Sequence, residues 1–392
     1  MRILQVIPYF IPAWGYGGPP AIVYNLSKEL VHGGHQVVVY TTDTLNASDR
    51  IKETEETIDG IKVRRFRNVS NSIAYKHHLF LSPGMLFAAR KELPSFDIIH
   101  VYEYRTFQNV LVHHYTKKYD IPYVSQADGS LETIFRKQRL KKTFDLFFGH
   151  RIIRDASKLI AITHAEVEQY KELGAEDSKI VYIPNSIDFS EYEQLPRKGT
   201  FRGKYGITKE KIILFLGRIH KIKGLDILLE AVAAPIKEGQ KIRLVIAGPD
   251  YGYLDRLKKL AEKLRIDDRI TFTGFIFGAT KLAAYVDADV YVLPSIYETF
   301  PITVLEACAC ATPVIVTDRC QIADLVRGNV GFVVPYDKDR LQDAILNMLT
   351  DKQLRMKFGE RGRILVRERY NCSRRAEQIE AVYREVLGGH RG

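Results

Sequence analysis

The sequence predicts an α/β protein built as two doubly wound, Rossmann-like domains that face each other across a cleft. Three observations predict it. At 392 residues the chain exceeds what one ordinary hydrophobic core organises. Short apolar strands alternate with helical stretches almost throughout, the pattern of parallel sheets covered by helices. Polar or glycine-bearing turns follow the carboxyl ends of several strands, where open α/β sheets bind ligands.

Composition narrows the class further. The chain is 46% hydrophobic and 27% charged, the balance of a globular protein. No run approaches the roughly 18 apolar residues of a membrane span. The opening MRILQVIPYF reads as a buried strand, not a secretory signal, since no small-residue cleavage site follows. Cys308, Cys310, Cys320 and Cys372 form no CxxC pair, so reduced, buried thiols in a cytoplasmic protein are expected, with neither a disulfide framework nor a metal site. The net charge of +11 points to an anionic partner. No nucleic-acid module accompanies it, so a phosphorylated substrate or an anionic membrane surface fits better than nucleic acid.

In the first half, residues 1–7 form a strand, PAWGYGGPP a loop and residues 21–32 a helix, stopped by Gly33-Gly34 before a strand over 36–42. Gly17 and Gly18 lie where backbone can approach a phosphate or a sugar, although such a pair taken alone is more often a simple turn. A strand follows at 61–66, a helix over 79–93 and a buried strand over 96–102. His100, placed near that strand's end, either faces the cleft or is a hydrogen-bonded structural histidine. The strand 121–125 leads to Asp128-Gly129. Residues 135–158 are basic and aromatic, with Leu140, Phe144, Phe147, Phe148 and Arg151 on one helical face. That face either packs on the core or rests on anionic lipid. Strands at 159–163 and 180–184 close the first domain, read as 1–195, and a basic, glycine-containing stretch links it to the second, 196–372.

The second half opens on a strand over 211–217, followed by Arg218 and, five residues on, Lys223-Gly224. Two cations held at a strand end before a helix suit a diphosphate: Arg grips through paired N–H groups and Lys adds a point charge. Strands at 243–247 and 270–275 follow, with Phe275 either in the core or against a nucleotide base. The organising stretch is LPSIYETFPITVLEACACATPVIV, residues 293–316. A strand over 290–293 runs into a loop carrying Glu298; a helix begins at Phe300-Pro301 with Thr299 as N-cap; a strand over 314–317 ends the unit. The helix start, Phe300 to Thr303 with Ile302, offers free N–H groups to an anion. Glu306 sits among apolar neighbours, so it needs either a basic partner or a ligand's hydroxyls. Helices over 339–350, 351–370 and 373–387 finish the chain, the last expected to return to the first domain.

The run PSIYETFPITVLEACACATPVI, with Glu298 and Glu306 eight apart, resembles the Glu-x7-Glu signature of the retaining glycosyltransferases of family 4, which have the GT-B fold. Arg218-x4-Lys223-Gly224 resembles that family's phosphate-binding element, and residues 96–102 and Pro184-Asn185-Ser186-Ile187-Asp188 resemble two further segments. Thr299-Phe300-Pro301 replaces the usual Gly-Phe-Gly, Ala311 a Gly, and Asp128 a His that contacts the reacting sugar. The resemblance implies a retaining transferase that moves a hexose-type sugar from a UDP- or GDP-sugar to a hydroxyl, without a metal or other cofactor. The acceptor would be a glycan or a lipid-linked intermediate of cell-surface polysaccharide or glycolipid synthesis, met at the inner face of the membrane. It assigns Arg218 and Lys223 to the leaving diphosphate, Glu298 to the sugar, Glu306 to the ribose, and Gly17, Gly18, Phe275 and 299–303 to the donor. His100 and Asp128 become candidates for sugar or acceptor contact. A nucleotide-sugar epimerase of the same fold and a non-catalytic binding module are the alternatives.

Overall fold

A computed structural model describes residues 1–132 and 138–390. The chain divides into two compact units: Met1–Asn185 with Cys372–Gly392, and Ser186–Asn371. The division thus follows Asn185, ahead of the linker read around 195–206.

In unit 1 the described residues form one sheet of β1 (Arg2–Val6), β2 (Gln36–Thr42), β3 (Glu55–Ile58), β4 (Ile61–Phe66), β5 (Ile98–Tyr102), β6 (Tyr123–Gln126), β7 (Lys158–Ala161) and β8 (Ile180–Tyr182). Their order is β3-β4-β2-β1-β5-β6-β7-β8, parallel except for the β3–β4 pair. Alternate residues feed two cores because strand side chains alternate faces. Ile3, Val37, Val39 and Ile98 enter one; Leu4, Val6, Ile99 and Val101 enter the other. The final helix, Cys372–His390, belongs to this unit and covers the first core with Ala376, Ile379, Val382, Tyr383 and Val386, spaced at helical period.

Three local differences from the sequence reading have physical causes. Two short helices occupy residues 71–92: Asn71–His77, absent from the sequence reading, and Pro83–Glu92, which falls inside the helix expected over 79–93. His78 is left-handed (φ 53°) and ends the first, and Pro83 starts the second. The helix Phe107–Tyr119 and the edge strand β3 were not foreseen, the former because its apolar residues are interleaved with His and Lys. The basic–aromatic stretch is an α-helix over Gln138–Phe144, a π turn over Asp145–Gly149 and an α-helix over His150–Asp155; residues 135–137 of that reading lie outside the described residues.

Unit 2 holds β9 (Lys211–Leu216), β10 (Ile242–Ala247), β11 (Ile270–Gly274), β12 (Val290–Leu293), β13 (Val314–Thr317) and β14 (Gly331–Val334). The order β11-β10-β9-β12-β13-β14 is all parallel, and the direction of winding reverses between β9 and β12. A crevice beyond the carboxyl ends of those two strands is where such a sheet takes a ligand. Among the described residues, no helix is long and apolar enough to cross a membrane.

The last helix also ties a polar network into unit 1. The Tyr383 hydroxyl lies 2.7 Å from His100 Nδ1 and accepts from Gln5 Nε2 at 3.3 Å, all three residues being buried. Tyr383→Phe would strand Gln5 Nε2 and leave His100 Nδ1 only the longer contact with the Tyr102 hydroxyl at 3.2 Å, so we expect a loss of about 1–3 kcal/mol in urea-unfolding stability with little change in the slope m.

Candidate active site

The β9/β12 switch point of unit 2 collects the strongest sequence candidates. Arg218 follows β9 after Gly217, and its guanidinium lies over the Tyr251 ring, 5.4 Å from the centroid. Among the described residues no carboxylate pairs with it. Lys223 ends a short 3-10 turn, Lys221–Lys223, and Gly224 (φ 65°) follows. A Cβ at Gly224 would collide with the Pro294 carbonyl oxygen. Glycine there therefore lets the turn close against the end of β12, where Lys223 forms an ion pair with Glu298. Glu298 Oε1 also accepts from Ser295 Oγ at 2.8 Å. Both members of the pair are largely buried, with 14% and 12% of their side chains exposed. Lys223 is thus half of a neutral pair, not a free cation, and Glu298 retains Oε2 as an acceptor.

The helix after β12 runs from Ile302 to Ala309. Thr299 is not its cap, which corrects the reading of a start at Phe300. Pro301 holds the capping position with ψ 107°, and the residue before a proline is disfavoured from helical conformation, so Phe300 does not join the helix. No side chain caps the first turn. Its leading N–H groups at Ile302 and Thr303 are therefore oriented for an anion. Phe300 packs toward Tyr370, ring centroids 6.3 Å apart. Thr303 Oγ1 accepts from the Tyr291 hydroxyl at 2.7 Å, which fixes the helix start to β12.

Glu306 is buried and has the basic partner its surroundings demand. Oε1 accepts from Lys281 Nζ at 2.7 Å and from the Tyr192 hydroxyl at 3.3 Å; Oε2 accepts from the Tyr285 hydroxyl at 2.9 Å. A carboxylate offers about four acceptor positions, so room for one further donor remains. The sequence reading named neither Lys281 nor the two tyrosines. Only the helical placement of Lys281 and Tyr285, four apart on Gly278–Asp287, ties them to one face. Phe275 is not core: it is 57% exposed and stacks on Phe277 at 5.9 Å, whereas Leu282 packs on the unit's core.

The remaining candidates lie in unit 1. Gly17 is left-handed (φ 107°) and requires glycine; Gly18 has helical angles and opens the helix Pro19–His32. His100 does not reach a ligand face. It sits in the middle of β5, fully buried, with Nδ1 between the Tyr383 and Tyr102 hydroxyls, and burial pushes its pKa well below the usual value, so it is neutral. This is the structural histidine of the two alternatives. Asp128 follows β6 in a left-handed conformation (φ 51°), Oδ1 accepting from Gln126 Nε2 at 2.7 Å. Burial raises its pKa.

Two carboxylates that the sequence reading did not single out accompany Asp128. Glu166 accepts from the N–H groups of Gly129 (2.5 Å) and Ile162 (2.9 Å), and burial pushes it up to about 8. Glu103, also left-handed (φ 61°), accepts from the Tyr9 hydroxyl, and burial pushes it up to about 7. A carboxyl raised in the folded state binds a proton more tightly there than in the unfolded chain. Its stabilisation is complete below the unfolded value near 4.5 and is lost as pH rises through about 7. Glu103→Gln should therefore flatten the fall in melting temperature between pH 5 and 8, removing about 3 kcal/mol of pH dependence at most.

Against this geometry, comparison with known proteins identifies the class. Residues 197–364 match the model "Glycosyl transferases group 1" and residues 17–186 match "Glycosyl transferase 4-like domain". The chain belongs to the group 1, family 4 glycosyltransferases and is an enzyme that transfers sugars. It is 27% identical over 404 residues to an uncharacterized glycosyltransferase of Methanocaldococcus jannaschii, covering 96% of this chain and 98% of the relative. It is 27% identical over 368 residues to a D-inositol 3-phosphate glycosyltransferase of Kineococcus radiotolerans, covering 86% and 83%. Among solved structures, the Anabaena HepE protein in complex with UDP and glucose superposes with a TM-score of 0.78 at 19% identity, covering 98% of this chain and all of that one. The two Rossmann-like units are those of the GT-B fold.

Proposed function

We propose that the chain moves a hexose-type sugar from a nucleotide-sugar donor to a hydroxyl acceptor with retention of configuration, using the β9/β12 switch point for the donor diphosphate. The observation that carries this is the charge arrangement there. Arg218 brings an uncompensated positive charge, the uncapped start of Ile302–Ala309 adds about half a charge, and Lys223 is held beside them by Glu298. A departing diphosphate gains negative charge as the glycosidic bond breaks, so fixed cations stabilise the transition state more than the ground state. Lys223 has two further N–H donors while it stays paired, and Glu298 Oε2 is placed for a sugar hydroxyl. Glu306, with one acceptor position left, serves the ribose. The leaving phosphate takes the acceptor's proton on the same face from which it departs. The acceptor is a glycan or a lipid-linked intermediate of polysaccharide or glycolipid synthesis, met at the inner face of the membrane.

The test is a thermal-shift panel of nucleoside diphosphates and UDP- and GDP-sugars, repeated on Arg218→Ala and Glu306→Gln. A ligand that binds the folded state raises its melting temperature by mass action. A shift with one nucleotide, diminished in both variants, is expected; the HepE complex makes uridine nucleotides the first to try. No shift with any nucleotide would overturn the donor assignment.

A further inference from the structure

The segment Gln138–Asp155 is built inside out. Its inward stripe is Lys141, Asp145, Gly149, Ile152 and Ile153, and the first half of that stripe is polar. Asp145 is buried in a two-pronged ion pair with Arg105 (2.9 and 2.8 Å), and Gly149 sits so close to the Tyr104 hydroxyl that a side chain there would collide with it. The apolar residues point the other way: Leu140 is 65% exposed, Leu146 70%, Phe147 59% and Phe148 45%. The five-residue π turn rotates the helix between its halves. Only its later half turns isoleucines inward, and both Ile152 and Ile153 are fully buried. The sequence alternative of a core-facing Leu140, Phe147 and Phe148 is therefore wrong, and only Phe144 turns in, edge-on to Tyr104 at 6.2 Å. Water does not select such an arrangement; contiguous exposed apolar groups of this kind mark a contact surface.

We propose that this outward face seats in the interfacial layer of an anionic bilayer. Arg139, Lys142 and Arg151 are exposed on the same segment. Its two carboxylates are neutralised, Asp145 by Arg105 and Asp155 by His113, Lys117 and Arg154. Aromatic and leucine side chains flanked by uncompensated basic ones fit the acyl–headgroup boundary, the basic groups staying with the lipid phosphates. A second copy of this chain would bring the same basic face and a net charge of +11, so it is the poorer occupant. The anchor is tied through Arg105 to the loop after β5 that carries Glu103, so it holds the bilayer next to the carboxyl edge of the first sheet. This deepens the acceptor half of the proposed function, rests on it for the identity of the acceptor, and favours a lipid-linked one.

The experiment is sedimentation of the purified full chain with vesicles of phosphatidylcholine alone or mixed equally with phosphatidylglycerol. Wild type should bind the anionic vesicles, and moderate salt should weaken binding. The triple variant Leu146→Glu, Phe147→Glu, Phe148→Glu should bind at least about tenfold more weakly. Lys142→Glu with Arg151→Glu should lose the preference for anionic vesicles. These positions are exposed, so melting temperature and the nucleotide-induced shift should be unchanged; those two readings separate a failure of this proposal from a failure of the donor assignment. No binding of wild type to anionic vesicles overturns the proposal, as does equal binding by the triple variant. A dimer by light scattering that the triple variant dissolves, with no vesicle binding, overturns it in favour of a second copy.

Discussion

Arg218→Ala should lower kcat/KM for the donor that the nucleotide panel identifies by about 10²–10³-fold, with most of the loss in kcat. The reason lies in which cation is compensated. Lys223 is already satisfied by Glu298, so Lys223→Ala removes a donor and also strands a largely buried carboxylate. Its effect would mix lost catalysis with local rearrangement. Arg218 lies over the Tyr251 face with no carboxylate partner among the described residues, so its removal leaves no orphaned charge there. The substitution therefore reads transition-state stabilisation cleanly, and melting temperature should hardly move. Arg218→Lys restores the charge but not the paired N–H groups, so it should recover only part of the loss. Full turnover in Arg218→Ala would remove the diphosphate from this end of β9.

Much of this architecture was legible in the chain. β12 and β13 fall on the expected residues because each is a run of apolar, mostly β-branched side chains bounded by polar or proline punctuation. β2 and β4 also fall on the expected residues, β4 through apolar Ile61 and Val63 alternating with basic Lys62 and Arg64. The start of the helix after β12 was misplaced by two residues because a serviceable N-cap, Thr299, precedes a proline, and the proline's restraint on Phe300 outweighs the cap. The Arg218 and Lys223 pattern is local, so spacing alone brought both to one strand end. What spacing could not supply is contact between distant segments. Lys281 meets Glu306 from 25 residues away and Tyr192 from 114, and nothing in either segment announces it. The burial of His100 depends on Tyr383, 283 residues further on. In Gln138–Asp155 the sequence left open whether the apolar residues face the core or lipid, since amphipathic period alone cannot distinguish a core from an external apolar partner, and it gave no sign of the π turn that separates Phe144 from the outward residues.

That long-range pair gives the largest expected effect on stability. Lys281 is 21% exposed and Glu306 12%, and the tyrosines that also hold Glu306 are buried. Burial disfavours a charged Lys281, yet the neighbouring Glu306 carboxylate outweighs it and raises the Lys281 pKa. Lys281→Met should cost about 3 kcal/mol in urea unfolding, because it leaves a buried carboxylate facing only hydroxyl donors. Glu306→Gln alone should cost a similar amount by stranding the ammonium. The double variant Lys281→Met, Glu306→Gln removes both charges while the amide oxygen still accepts from tyrosine, so most of the stability should return. Additive losses in the double variant would show that the two groups do not act as a pair. The recovery is also informative about binding. If Glu306 serves the ribose, the double variant regains its fold but not its nucleotide affinity, and its discrimination between a ribonucleoside diphosphate and the 2′,3′-dideoxy analogue should fall toward unity. Restored stability with undiminished discrimination would confine Glu306 to a structural role and move the ribose contact elsewhere on the switch point.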